Sequence, residues 1–514
     1  MEPDFRRSMQ WLHTWTGVVL GSILFAVFWM GTLSVFDREI DLWMKPETRL
    51  PLTSHPLSFD SVRASLNDAI ASKATFWNAV MPDDRQPYIE THYRAGKKMV
   101  SQVINPDTGQ ILPQTGTLGA TGFFFPFHYT LELQFMHLGE WLVGLASVAM
   151  LVLCMTGVII HRKIFAEFFT FRPQKRPGRL LLDLHNLTGV LGLPFHIILT
   201  FSGLLILGST FFPAGIEAVY KNPRDYFYDA NGLSFFPVKP GKPGVPVVSL
   251  DMAAAQASAL WGKADPHMVL VVNPGQTTGR IAFFHSTEKQ VTSDRDVIAF
   301  DATTGQLVSH APLPGPALKT QRFLSGLHLI QFHHWGLRWL YFISGSGSCV
   351  LIATGFLFWM EARQKKQSAS PGFRLVKGIT LGSVAGIIIS TLAFFIINRI
   401  LPADAQYYGL TRSALEVRGF YLVWLITFLQ GWLWPKRAWM LQVSAISVLA
   451  LCAVLLNWLT TSDHLLHTLS HRYLWPVAGM DSMLLFTSFM AFFAARRLSR
   501  RARNEIHSKP LVAV

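Results

Sequence analysis

The apolar positions of this chain are gathered into long runs. Eight of them, at about 11–36, 138–160, 181–211, 339–360, 375–398, 417–434, 439–460 and 475–495, run for roughly 20 residues with few or no charges, the length a helix needs to cross a hydrocarbon layer. The first is too long for a cleaved leader and ends in VFDREIDLW, with no small-residue cleavage site, so it reads as a retained helix. Two polar stretches, 37–127 and 212–325, separate the runs. In the first, Phe59–Ala71 has an amphipathic helical period, and YIETHY and KKMVSQVI alternate as strands do. In the second, VVSLDMAAAQASAL reads as a helix, and MVLVVN, GRIAFFH and DVIAFD read as strands. Each stretch predicts a small α+β module, a helix followed by antiparallel strands.

Composition agrees with a membrane class. Half of the 514 residues are hydrophobic and only 15% are charged, with 39 Phe and 16 Trp. That excludes a disordered chain, a collagen-like repeat and a disulfide-stapled secreted domain. Cys154, Cys349 and Cys452 all lie inside apolar runs, in no CxxCH, CxxC or zinc-ribbon pattern.

The net charge of +14 would suit nucleic acid, but its placement argues for topology instead. Of the 45 basic residues, 21 sit in five short segments. These are Arg6 and Arg7; Arg162, Lys163, Arg172, Lys175, Arg176 and Arg179; Arg363, Lys365, Lys366, Arg374 and Lys377; Lys436 and Arg437; and Arg496, Arg497, Arg500, Arg501, Arg503 and Lys509. The positive-inside rule puts all five, and both termini, in the cytoplasm, with the two modules outside. The predicted order is a transmembrane helix in 1–36, a module at 37–127, a helix in 128–163, a cytoplasmic loop at 164–180, a helix at 181–211, a module at 212–325, a helix in 326–362, and a four-helix extension with a basic tail at 363–514.

The chain repeats itself. Leu12-His13-Thr14-Trp15-Thr16-Gly17 opens the first run, and Leu184-His185-Asn186-Leu187-Thr188-Gly189 stands near the start of the third. NPDTGQIL at 105–112 matches DATTGQLV at 301–308. Phe127-His128 matches Leu327-His328, and Met155-Thr156-Gly157 matches Ala353-Thr354-Gly355. The fold class predicted is therefore mainly α and polytopic: an internally duplicated four-helix core with two α+β modules, plus four extra C-terminal helices.

Equivalent residues of parallel repeats lie at equal membrane depth. His13 and His185 each lie six residues beyond a basic residue, Arg7 and Arg179, and so about 9 Å in from the cytoplasmic edge. Ionisable side chains inside a span are costly and generally functional. Two histidines from facing helices can ligate a haem iron from both sides with no covalent attachment. His13 with His185 predicts an inner bis-histidine haem b, and His128 with His328 an outer one, giving electrons a path across the membrane. Gly17 and Gly189, one turn beyond the inner histidines, would offer bare backbone to a flat macrocycle.

Other histidines compete. His196 lies 11 residues after His185 on nearly the same face, about 16 Å deeper, and rivals His328, with His137 as its partner. The alternatives to haem are a neutral structural imidazole, a proton relay or a metal pathway. His161 reads as a headgroup or solvent contact, with a haem role as the alternative. His464, His467 and His471 share a helical face, either a metal site or a plain interfacial helix. His333 and His334 read as lining an outer pocket, whereas His55, His92, His267, His285, His310 and His507 read as surface residues.

These residues carry a resemblance to the PepSY-associated transmembrane helix family. The shared features are HTWTG, the Phe-His before the second run, GVIIHRKIFAEFFTFRP, LDLHNLTGVLGLPFH, and LHLIQFHHWGLRWLYFISG leading to ATGFLFW, together spanning about 1–365. The resemblance implies PepSY-like periplasmic modules and a bacterial inner-membrane location. Its characterised members include ferric-siderophore reductases that hold haem b, which carries His13, His128, His185 and His328 over as ligands. The runs after 365 depart from the shorter, four-span relatives.

The function expected is a di-haem b oxidoreductase taking electrons from a quinol or reduced flavin and passing them to a ferric siderophore or other ferric chelate. TGFFFPFHY at 121–129 and FHHW at 332–335 read as chelate-pocket or interfacial aromatic segments. A non-enzymatic module that binds a peptidase or other partner, and a transporter component, remain as alternatives.

Overall fold

The computed structural model describes residues 3–53, 55–161, 177–233, 235–236, 238–294, 296–310, 314–435 and 437–507. The basic 162–176 connection, Lys436 and Lys509 lie outside the described residues. Helices α1 (Pro3–Ser34), α2 (Asp37–Met44) and α3 (Arg63–Ala71) precede strands β1 (Phe76–Val80), β2 (Ile89–Ala95) and β3 (Lys98–Ile104), then α4 (Phe124–Thr130) and α5 (Leu138–Ile160). Next come α6 (Pro177–Leu191), α7 (Leu193–Ile206), the short α8 (Gly208–Phe211), α9 (Pro213–Glu217) and α10 (Pro223–Ala230), and α11 (Leu250–Leu260). Strands β4 (Pro266–Val272), β5 (Arg280–His285), β6 (Val297–Asp301) and β7 (Leu307–His310) lead to α12 (Pro316–Leu329) and α13 (Trp335–Gln367). The C-terminal part holds α14 (Pro371–Leu381), α15 (Ile387–Ile400), a hairpin of β8 (Gln406–Tyr407) and β9 (Leu410–Thr411), α16 (Arg412–Leu433), α17 (Ala438–Thr461), α18 (Leu465–Ser470) and α19 (Trp475–His507).

The expected eight spans become six or seven. Among the described residues, α1, α5, α13, the joined α14–α15 rod, α17 and α19 are long and apolar enough to cross a membrane. The third expected span is broken into α6 and α7, bent by 61°, and makes a seventh if the pair counts as one. Pro194 explains the break: it has no N–H for the carbonyl four residues back, and its ring crowds that carbonyl. The sixth expected span lies in α16, whose first two turns carry Arg412, Glu416 and Arg418, too polar to count with the others.

The chain divides into two compact units. One is helical and comprises Met1–Pro46, Thr115–Leu204 and Gly336–Val514; the other comprises Glu47–Gln114 and Leu205–Trp335 and is built on a sheet. The two separate modules expected from the sequence are a single sheet unit. Its strands run in the order β3-β2-β1-β4-β5-β6-β7, antiparallel throughout. The halves join where β1 pairs with β4, Asn78 opposite Leu270 and Ala79 opposite Val269. Apart, each half would leave that strand as a bare edge of unpaired N–H and C=O groups; joined, each covers the other.

Alternation sorts the sheet's two faces. Trp77, Val269, Val271, Ile281, Phe283, Ile298 and Phe300 point to one side and bury against Leu66 and Ala69 of α3 and Leu250, Ala253 and Ala257 of α11. Trp77 donates its indole N–H to Ser65 at 3.1 Å, so the buried ring keeps a polar partner. Ala282, Phe284, Val297 and Ala299 point to the other side, under Leu233, Tyr228, Phe235 and Phe236.

In the helical unit, the C-terminal extension is built into the core. Ser22 and Ser383 are hydrogen-bonded at 2.5 Å, and Trp29 of α1 donates to Thr391 at 3.0 Å. Between α14 and α15 one π-helical turn, Gly382–Gly386, widens the backbone, and Trp424 donates its indole to the Gly382 carbonyl at 2.8 Å. Gly378, Gly382 and Gly386, four residues apart, present bare backbone to Trp432, Phe428 and Thr427 of α16, the close helix approach that small residues permit. Much of the TGFFFPFHY segment is part of this core. Phe123, Phe124 and Phe127 are fully buried, and Phe123 stacks on Phe394 with 4.8 Å between ring centroids.

Helix α2, assigned from sequence to the first module, belongs to the helical unit and carries a buried polar network. Trp43 donates to Asp481 at 2.8 Å, Asn457 donates to the same carboxylate at 3.2 Å, and Arg399 donates to the Trp43 carbonyl at 2.5 Å. Arg338 of α13 pairs with Glu39 at 2.7 Å and lies over the Phe36 ring.

Candidate functional site

Helices α1 and α6 bring His13 and His185 together, with ring centroids 6.2 Å apart and ring planes at 88°. Each ring is held from behind by a second helix. His13 Nδ1 lies 3.0 Å from Thr156 Oγ1 on α5, and His185 Nδ1 lies 2.9 Å from the Leu351 carbonyl on α13. The chemistry of these partners sets the tautomers. Thr156 spends its single hydroxyl proton on the Val152 carbonyl at 2.7 Å, so it accepts from His13 Nδ1–H. A carbonyl can only accept, so His185 also carries its proton on Nδ1. Both Nε2 atoms therefore hold a lone pair, the arrangement of a metal-ligating histidine whose other nitrogen is fixed by an outer hydrogen bond.

Corresponding residues surround both rings. Gly157 and Gly355 face them, and a Cβ at Gly355 would come within 3.2 Å of His185 Cε1. Gly17 faces Leu153 and Gly189 faces Leu351, so their bare backbone serves the helix contacts α1–α5 and α6–α13. Thr354 repeats the bonding of Thr156, donating to Val350 O at 2.7 Å.

The donor set fits a haem iron: two imidazoles with ring centroids 6.2 Å apart, each left with a lone pair on Nε2. Both side chains are neutral nitrogen donors, as bis-histidine haem b requires.

A second histidine group gathers at one turn of α1. His128 of α4 bonds the Val27 carbonyl through Nδ1 at 2.7 Å and packs its ring on Gly31. His196 of α7, only 1% exposed, meets the Phe28 ring edge-on at 6.0 Å. Its Nε2 lies 2.8 Å from Ser348 Oγ, and Ser348 donates to the Ser344 carbonyl, so His196 is the donor and keeps its lone pair on Nδ1. Gly192, at the break between α6 and α7, gives this ring its room. His328 lies on α12 in the sheet unit.

The remaining histidines have other occupations. His137, its side chain 70% exposed, pairs with Glu140 at 3.1 Å at the start of α5. His161 closes the C-terminus of that helix. His464 caps His467 N, His467 Nδ1 pairs with Asp463 at 2.9 Å, and His471 Nδ1 lies 2.9 Å from the His467 carbonyl. All three Nδ1 atoms on α18 are thus spent on local structure. Sequence reasoning missed Thr156, Leu351 and Ser348 as histidine partners, although the Thr-Gly pairs of the repeat were a signal for the first.

Residues 10–362 match the family model described as the PepSY-associated TM region. The chain is also similar to a Pseudomonas aeruginosa protein described as uncharacterized protein PA4219. The two are 25% identical over 402 residues, covering 72% of this chain and 93% of that protein.

Proposed function

The chain belongs to the PepSY-associated TM region family, and from that premise we propose that it is an inner-membrane di-haem b oxidoreductase that delivers electrons to a periplasmic ferric chelate such as a ferric siderophore. The observation that carries the reading is the His13–His185 pair, two imidazoles 6.2 Å apart with both Nδ1 atoms anchored. Bound haem b would supply the one-electron transfer that ferric reduction needs. The chain's own part is to hold and tune. His13 and His185 would hold the iron, while Thr156 and the Leu351 carbonyl fix each ring's rotation and strengthen each Nε2 as a donor.

For the outer site we favour His128 with His196. Both touch α1 between Val27 and Gly31, some 15 residues or about 22 Å along the helix from His13. To ligate through Nε2, His196 would release Ser348. On this reading the chain would hold one histidine group near each face. The basic segments orient the chain with both termini in the cytoplasm, so a quinol or reduced flavin would donate near His13 and His185. Reduction releases iron from hard oxygen chelators, which hold Fe(II) far less tightly than Fe(III).

The test is a dithionite-reduced minus oxidised spectrum of the purified full-length protein with haem quantitation. About two haems per chain are expected, and His13→Ala or His185→Ala should remove one of them. A folded, colourless protein overturns the reading. Ferric-chelate reduction by the reduced protein in vesicles tests the acceptor separately.

A further inference from the structure

We propose that Asp83, Glu288 and His333, in the sheet unit, form a mononuclear site for a first-row divalent transition-metal ion. None of the three belongs to the histidine groups above, so the proposal stands or falls apart from the haem reading. The residues come from three distant segments: the β1–β2 loop, the turn after β5, and the stretch between α12 and α13. Each offers one donor atom, and the three donors lie within 4.8 Å of one another.

The spacings suit coordination better than hydrogen bonding. With His333 Nδ1 turned to Asp84, Nε2 is the nitrogen left to ligate, and it stands 4.0 Å from Asp83 Oδ2. That exceeds a hydrogen bond. Two ligands of one ion, each about 2.1 Å from it, are separated by roughly 3–4 Å. Carboxylates drawn this close repel one another, and a dication between them turns that repulsion into attraction.

The donors are also supported from outside. Asp83 Oδ1 accepts from the backbone N–H groups of Arg85 at 2.7 Å and Gln86 at 2.8 Å, which fixes the carboxylate with Oδ2 toward His333. The His333 backbone N–H donates to the Glu288 carbonyl at 2.9 Å, tying two of the ligand segments together. Asp84 pairs with His333 Nδ1, as a carboxylate does behind a metal-bound imidazole. His267 Nδ1 lies 3.4 Å from the other Glu288 oxygen and is a further nitrogen within reach. Imidazole with carboxylates selects zinc or ferrous iron over calcium or magnesium.

The experiment is calorimetric titration of metal-stripped, full-length protein in detergent with Zn²⁺, repeated on Asp83→Asn and Glu288→Gln. Asp83→Asn keeps an oxygen for the two backbone N–H groups and so preserves the loop while removing the ligand charge. Circular dichroism melting of each variant checks that the fold is kept. The proposal expects one Zn²⁺ equivalent that weakens at least about tenfold in each variant and that a large excess of Ca²⁺ leaves in place. Zn²⁺ binding that is unchanged in both folded variants, or displaced by Ca²⁺, overturns it.

Discussion

Asp60 and Asp251 occupy corresponding places in the two halves of the sheet unit, and each caps the helical turn of the other's half. Asp60 accepts from Ser249 Oγ at 2.5 Å and from the Leu250 N–H at 3.1 Å, at the start of α11. Asp251 accepts from Ser58 Oγ and the Phe59 N–H, both at 2.6 Å, at the turn that leads into α3. The exchange ties the halves together on the helix layer, as the β1–β4 pairing does in the sheet.

Removing one cap should therefore loosen both halves. Asp60→Ala should destabilise the protein by about 1–2 kcal/mol, read as a lower melting temperature of the full-length protein. The same group gives a pH dependence. Burial pushes the Asp60 carboxyl up, but hydrogen bonds from Ser249, Leu250, Asp251 and Arg63 outweigh it and hold the group below its ordinary value of 3.8. A carboxylate whose folded pKa lies below its unfolded one stabilises the fold above the unfolded pKa and loses that contribution as pH falls through the folded pKa. The melting difference between wild type and Asp60→Asn should therefore be full at neutral pH and shrink below about pH 4.

Thr156 tests whether the imidazole anchor matters to the inner site. Thr156→Val keeps the side chain's shape but deletes the acceptor for His13 Nδ1–H. Under the proposed haem reading, affinity at that site should fall roughly 10- to 100-fold, and Thr156→Ser should restore it. Haem retention on dilution, followed by absorbance, measures both.

The Arg338–Glu39 pair is buried, with side chains 0% and 8% exposed. Arg338→Met alone should cost about 3–5 kcal/mol, because it leaves the Glu39 charge without this partner. Adding Glu39→Gln should recover much of that loss. Thermal unfolding in detergent of the two single variants and the double variant closes the cycle.

Gly382→Leu should separate α16 from the π turn. A Cβ there runs into the Phe428 ring, so the substitution should cost at least about 1–3 kcal/mol through overpacking. Gly372→Ala on α14, where a Cβ meets nothing within 4 Å, should be close to neutral in the same melting assay.

Much of this architecture was legible in the residues. Runs of apolar side chains mark α1, α5, α13, α14–α15, α17 and α19, period-2 alternation marks β2 and β3, and short apolar runs mark β4 to β6, because these patterns are local. Long-range pairing was not. Nothing near Phe76–Val80 says that its partner lies almost 200 residues away, so one sheet was read as two modules. The break in the third span had its signal in Gly192 and Pro194, which the apolar run hid. His13 and His185 were found because the repeat names them twice. Ser348 and the Asp83–Glu288–His333 group have no repeat counterpart and find their partners only when distant segments meet. From sequence alone His267 therefore reads as a surface residue and His333 as a pocket residue.

The pairing of β1 with β4 also bears on how the chain is made. Phe76 meets Val272, so at ribosomal speed β1 leaves the tunnel on the order of ten to forty seconds before its partner. Throughout that interval one edge of a strand bearing Trp77 stands open, while α5 to α7 are still being made. A nascent chain arrested before β4 would be a sticky half-product, its bare strand edge ready to pair with any other.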